Sequence, residues 1–246
     1  MKTVIIAVGI AAVVAAGGTF FALTMVHSQL NAKRAADNLT TAQETVQKQL
    51  DDFSSGIQRQ LQSLAEVIGA DKEFSLRILA ENDRSAPAVT EMAAKFIGPM
   101  GFSVLEITDS SRMILSSGHF PASAGNKSMH PAGMLSKTPT VTMENIMGTP
   151  TLTMQAEYGF SIAEFNFYVT GGTVVDNKLL ETLTPNSHVQ LLLKNGDKYL
   201  GMENVSSISA ITDNTIIIND KKYPATEIEL PSSGKDLKIS LIVMVK

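Results

Sequence analysis

The chain contains no cysteine, which excludes disulfides, zinc-thiolate sites and cysteine nucleophiles. No run of Lys or Arg interleaved with aromatics occurs, and the net charge is −4. Nothing in it is suited to follow a phosphate backbone, and nucleic acid is not an expected partner. Glycine-rich phosphate loops, Gly-x-Ser-x-Gly elbows, His-Glu-x-x-His helices and kinase signatures are all missing. No known enzymatic motif is therefore present, no catalysis is expected of the chain as given, and no motif calls for a cofactor. The four histidines, His27, His119, His130 and His188, are dispersed without metal-ligand spacing, so no metal site is predicted.

What the sequence does have is one long apolar stretch. Residues 3–26 hold no Asp, Glu, Lys or Arg. At about 1.5 Å per residue such a helix crosses a hydrocarbon core of about 30 Å. A cleaved signal peptide would have an apolar core of about 7 to 15 residues and a small-x-small site, and the stretch ALTMVH at 22–27 offers no such site. Residues 1–27 are thus predicted as an uncleaved membrane anchor, crossing once, with Lys2 on the inner side. The remaining residues suffice for one large domain or two lobes with a core.

Residues 28–68 are predicted as one long amphipathic helix, continuous with the anchor because no proline or glycine interrupts the junction. Its stripe is Leu39, Ala42, Val46, Leu50, Phe53, Ile57, Leu61, Leu64 and Ile68, spaced by three or four throughout. Such a stripe fits either a helix packed along the folded domain or a parallel homodimer through the stem. Two shorter helices are expected over 71–81 and 86–96, with Asp83 or Ser85 as cap of the second and Pro87 in its first turn. The period then changes to two. Strands are expected over 102–109 and 113–120 with a turn at 109–112, then a loop over 121–137. Three antiparallel strands follow, over 140–147, 151–158 and 164–170. Gly171-Gly172 is expected to break the pattern, and Asp176 to cap a short helix over 177–183. Further strands are predicted over 188–193, 198–202, 215–219, 226–230 and 237–245, and no internal repeat is detected.

The segment FSVLEITDSSRMILSSGHF at 102–120, and FNFYVTGGTVVD at 165–176 followed by Leu179, Leu180 and Leu183, resemble the first hairpin and the end of the first lobe of extracytoplasmic Cache sensor domains. These are the PAS-like modules of bacterial histidine kinases and chemoreceptors. Arg112 stands where that family usually has Gly. The resemblance implies an α+β fold: a PAS-like five-stranded antiparallel sheet with helices over 69–184, carrying a small-molecule or ion pocket, and a smaller β-rich membrane-proximal lobe over 185–246. It also implies a bacterial inner-membrane location with the main domain periplasmic, and a second membrane helix leading to a cytoplasmic output. The chain ends on the apolar segment 239–246, so a continuation is expected. The implied function is a ligand sensor that transmits occupancy through the long helix.

For the pocket, the polar side chains expected on the central strands and their loops are Ser116, His119, Glu144, Gln155, Tyr158, Asn166 and Tyr168. His119, at a strand end, and His130, in the adjoining loop, are placed to meet in space. Asp109 and Asp176 are expected as turn former and helix cap. The alternative is a pilin-like or assembly subunit, which shares the outline of apolar helix, stem and β domain. It would carry a glycine cleavage site and an early Glu in the apolar run, and residues 3–26 have no Glu.

Overall fold

A computed structural model describes residues 2–130, 135, 138–202, 207–209, 211–233 and 237–246, with side chains described for 27 and from 29 onward. Helix α1 runs unbroken over Lys2–Ala70. The anchor expected over 1–27 falls on side chains that, up to residue 26, lie outside the described residues. Among the described residues no helix is long and apolar enough to cross a membrane.

From Leu39 onward α1 buries the expected stripe: Leu39, Ala42, Val46, Leu50, Ile57, Leu61, Leu64 and Ile68 are at most 6% exposed. Phe53 is half-buried between the two halves. Each fully buried Leu or Ile contributes about 1.5–3 kcal/mol. Because the stripe faces the protein's own sheets, it is not the contact surface of a stem homodimer, and the apolar argument for that dimer does not hold.

Asp71 ends α1 and starts the next turn, its side chain accepting the Phe74 N–H at 2.8 Å. Helix α2 (Lys72–Ser75) passes into a π turn over Leu76–Ala80. The second expected helix is split into α3 (Pro87–Thr90) and α4 (Met92–Ile97). Neither expected cap is used: Ala86 precedes Pro87, while Asp83 accepts the Ser85 N–H and hydroxyl in a local turn.

The first sheet comprises β1 (Val104–Asp109), β2 (Ile114–Ser117), β3 (Thr140–Ile146), β4 (Thr149–Ile162) and β5 (Phe165–Val174), in the order β2-β1-β5-β4-β3, with every pairing antiparallel. Strand β5 continues through Gly171-Gly172 instead of breaking there. A Cβ on Gly172 would lie 2.1 Å from the Met154 carbonyl oxygen, and one on Gly171 would lie 2.8 Å from Leu61 Cδ2. These glycines serve close approach of strand to strand and of strand to α1. Met147 and Gly148, with φ of 48° and 88°, turn β3 into β4, as a two-residue hairpin of this hand requires.

After α5 (Asn177–Leu183), capped as expected by Asp176 on the Leu179 N–H, a second sheet forms. Its strands are β6 (Val189–Asn195), β7 (Lys198–Leu200), β8 (Thr215–Ile218), β9 (Lys221–Glu229) and β10 (Ile239–Val245), in the order β7-β6-β10-β9-β8. Counted along the chain, this is the order of the first sheet repeated, without a sequence repeat to announce it.

The helices α1 to α4 cover one face of the first sheet, where Phe74, Val89 and Met92 meet Leu105, Ile107, Ala156, Phe167 and Val169. The opposite end of the stripe, Ala42, Val46 and Leu50, packs with Val141 and Met154 of the first sheet and with Leu191, Leu193, Leu241 and Val243 of the second. One helix therefore closes both cores. The lobes are also joined where the Val141 N–H donates to the Pro231 carbonyl at 2.7 Å and the Ser233 N–H donates to the Val141 carbonyl at 2.9 Å.

Candidate functional site

Side chains alternate across a strand, so the residues of the first sheet that do not face α1 share the other face. Its buried polar side chains are Glu106 and Thr108 of β1, Ser117 of β2, Thr140, Thr142 and Glu144 of β3, Thr153, Gln155 and Glu157 of β4, and Thr170 of β5, each at most 8% exposed. A buried polar sheet face is costly unless every group finds a partner. What buries it is the segment after β2. A 3₁₀ turn over Pro121–Ser123 leads into residues that run back beside β2, the Ile114 N–H donating to the Asn126 carbonyl and the Ser128 N–H to the Arg112 carbonyl, both at 2.8 Å. Farther on, buried Leu135 accepts the Glu157 N–H at 3.0 Å.

Glu144 is the centre of this face. His130 Nε2 lies 2.9 Å from its Oε2, His119 Nε2 3.6 Å from its Oε1, and Gln155 Nε2 donates to Oε2 at 3.1 Å. The Leu105 N–H lies 3.3 Å from His119 Nδ1 and donates to it, while His119 Nε2 is turned toward Glu144. Burial opposes ionisation of Glu144, but the hydrogen bonds from His119, His130 and Gln155 outweigh it and hold the carboxyl well below the usual carboxylate range. Glu106 behaves oppositely. Burial first, and the charge of Glu144 second, push its carboxyl up, against the smaller favourable effects of His119, His130 and a hydrogen bond from Ser128 Oγ at 3.2 Å.

Beside this group lies a buried ion pair, Arg112 Nη1 to Glu157 Oε2 at 2.6 Å. Thr170 also donates to Glu157, Arg112 Nε donates to the His130 carbonyl at 3.1 Å, and the guanidinium sits 5.2 Å from the centre of the Tyr168 ring. Arg112 holds φ at 66°, the left-handed region that costs a non-glycine residue about 1 kcal/mol. The ion pair is expected to offset part of that cost. The turn itself is set by Asp109, which accepts from the Ser111 N–H and hydroxyl and the Met113 N–H. Burial would raise Asp109, and these bonds with that of Arg84 at 2.6 Å hold it below the ordinary range.

Between the polar face and the segment after β2 is a cavity of about 180 Å³, lined among others by Glu106, His119, Phe120, Ser128, His130 and Glu144. Of the residues expected at the site, His119 and Glu144 line it, and Gln155 supports Glu144 from behind. Tyr168 lies on the same face, under Arg112, and is not among the residues lining the cavity. The other three belong elsewhere. Ser116 faces the helices, donating to the Thr90 carbonyl and accepting the Ala93 N–H. Tyr158 alternates with Glu157 and therefore packs among the helix-side apolar residues. Asn166 is exposed near the β4–β5 hairpin, bonded to Ser161. His119 and His130 do meet, through Glu144. Among the described residues no group of three or more His, Asp or Glu has the arrangement to hold a metal ion.

The residues that the expected set lacks include Glu106, Arg112, Ser128 and Glu157, and also His130, placed by the sequence only to meet His119. Glu106 left a signal, since a carboxylate between Leu105 and Ile107 in an apolar strand is an inward charge on the less apolar face. Arg112 left one as well, standing at the left-handed position of a turn.

No family model and no curated relative matches the chain. Solved structures do. The periplasmic domain of LuxQ from Vibrio cholerae superposes with a TM-score of 0.52 at 14% identity, covering 84% of this chain and 97% of that one. The chain has the fold of an extracytoplasmic sensor domain. The sensory domain of the Campylobacter jejuni chemoreceptor Tlp3 with isoleucine bound gives a TM-score of 0.52 at 12% identity, over 86% of this chain and 93% of that one. The same receptor's ligand-binding domain in complex with 4-methylisoleucine gives 0.52 at 11% identity, over 86% and 91%. At these identities the likeness is one of fold. The sensor fold here consists of a polar-faced first lobe and a second lobe, both closed by α1.

Proposed function

We propose that this chain is the ligand-sensing module of a membrane receptor, anchored by residues 1–27, with both sheets on the extracytoplasmic side and a small molecule bound in the cavity on the first sheet. The observation that carries this reading is the cavity itself. A face of buried polar side chains, folded over by a hydrogen-bonded segment, keeps two acids and two histidines around an opening of about 180 Å³. The chemoreceptor domain of the same fold with isoleucine bound supports a small-molecule ligand.

Occupancy reaches α1 by two routes. Strand β3 carries Glu144 at the cavity and Val141 at the junction with residues 231–233. Strands β4 and β5 lie between the cavity and the α1 stripe. A ligand moves this assembly only by its difference in affinity for two arrangements of it. The displacement is carried along α1 toward the anchor. A homodimer, if the receptor forms one, uses the exposed part of α1 before Leu39, or a surface away from the stripe.

A thermal-shift screen of the full chain against small metabolites tests the reading. A ligand at about 100 times its dissociation constant stabilises the fold by about 2.7 kcal/mol, a clear rise in midpoint that Glu144→Ala removes. A broad screen in which no compound raises the midpoint contradicts it.

A further inference from the structure

The charge balance of the cavity on which the sensor reading rests also selects a class of ligand. Glu144 has its oxygens occupied, by His119, His130 and Gln155 and by the Asn145 N–H at 3.1 Å. Glu106 does not. It is 7% exposed, lines the cavity, and among the described residues accepts from Ser128 Oγ alone. A carboxylate has about four acceptor positions, so Glu106 presents a buried acceptor with capacity left to the opening. Among the described lining residues, the only Lys or Arg is the exposed Lys127. The buried guanidinium nearby, Arg112, is engaged by Glu157 and does not line the cavity.

We infer that the cavity takes a small organic amine, with the ammonium bound at Glu106, and not a ligand that must place a carboxylate there. An ammonium supplies three donors and a compensating charge to an acid that burial has stripped of water. A ligand carboxylate would instead meet Glu106 and Glu144 with no buried Lys or Arg among the described lining residues to receive it, and with the two histidines already turned to Glu144. The volume sets the size, since about 180 Å³ is well below the roughly 300–1,000 Å³ of pockets for drug-sized molecules.

The same geometry couples binding to a proton. Glu106 is faced by Glu144 from β3 and by His119, Lys127, Ser128 and His130 from the segment after β2, with the Arg112–Glu157 pair beyond. Burial and the charge of Glu144 favour its protonated form. An arriving ammonium favours the ionised form, so wherever Glu106 is still protonated in the empty cavity the complex releases protons.

The test is calorimetric titration of the full 246-residue chain with n-butylamine, 1,4-diaminobutane and isoleucine, in two buffers of different ionisation enthalpy. At least one amine is expected to bind roughly ten-fold or more tightly than isoleucine, with a buffer-dependent heat of the sign of proton release. Glu106→Gln is expected to weaken that amine at least roughly ten-fold while leaving the unliganded midpoint unchanged or raised, which separates lost binding from lost folding. Isoleucine binding more tightly than either amine overturns the ligand class and leaves the sensor reading standing. Equal amine affinity in Glu106→Gln, or heats independent of buffer at every pH across the glutamate titration range, overturns the assignment to Glu106. Failure of all three probes to bind overturns the amine inference; only the wider thermal screen, if also blank, takes the sensor reading with it.

Discussion

The free face of the first sheet and that of the second are laid over the same strand order from different material. On the first sit Glu106, Glu144, Gln155, Glu157 and their threonines. On the second sit Leu192, Ile216, Ile218, Ala225, Ile242 and Met244, closed by Tyr199, Met202, Ile208 and Ile211. The opposite faces of both sheets are alike, apolar and covered by α1. A fold of this kind needs one apolar face per sheet and a cover for the other. Filling the second face with aliphatic side chains is the stable solution. Filling the first with acids and histidines around a cavity costs stability, and under the proposed sensor reading that cost goes to a place to bind.

The first way to break the comparison is at the close strand approach in the first sheet. Gly172→Ala is expected to cost about 3 kcal/mol or more, because its Cβ meets the Met154 carbonyl at 2.1 Å; chemical unfolding measures it. The shared helix sharpens it next. Leu61→Ala, in the first core, and Leu50→Ala, in the second, are each expected to cost about 2–5 kcal/mol. Since α1 closes both cores, each is expected to lower one common calorimetric transition. Two separated transitions would show that the lobes unfold independently.

Arg112→Gly removes the left-handed strain and also the guanidinium from Glu157, with an expected net loss of about 3 kcal/mol. Adding Glu157→Gln is expected to restore most of it. A single variant as stable as the parent would show that the pair does not compensate for the turn.

The two acids make the pH prediction, with opposite signs. Glu144 titrates below its unfolded value, so its contribution is present above the ordinary glutamate pKa of about 4.3 and is lost as pH falls through and below it. Glu106 titrates above its unfolded value. Its protonated form favours the fold at low pH, and that advantage is lost as pH rises through its raised folded value. At neutral pH Glu144→Gln is therefore expected to destabilise by about 1–3 kcal/mol and Glu106→Gln to leave stability equal or higher, as denaturant unfolding followed across pH would record. The smallest effect belongs to the second lobe. Glu227 is held below its usual range by Ser240, then by Lys194 at 3.2 Å. Lys194→Ala at that part-exposed pair is expected to cost no more than about 1 kcal/mol.

Much of this architecture was legible in the residues, and the illegible part has physical causes. The α1 stripe announced itself because a period of 3.6 survives over many turns, and the turn former Asp109 and cap Asp176 act within four residues of themselves. Gly171-Gly172 misled because close approach and chain reversal both select glycine, and only the register with Met154 separates them. Of the expected pocket set, His119, Glu144 and Gln155 lie at or behind the cavity, whereas Ser116, Tyr158 and Asn166 lie elsewhere. Which face a strand residue takes depends on the neighbouring register, and at Ser116 on a bulge between Ile107 and Thr108. The repeated strand order left no trace in the sequence, since the two free faces have no composition in common.

Hydrogen–deuterium exchange of the full chain, with and without the strongest binder from the thermal screen, tests the central claim most directly. The account predicts new protection in β1, in residues 126–130 and in β3, with β6 to β10 changed only where they meet α1. Protection centred on residues 199–218 of the second lobe, with β1 and β3 unchanged, would contradict it.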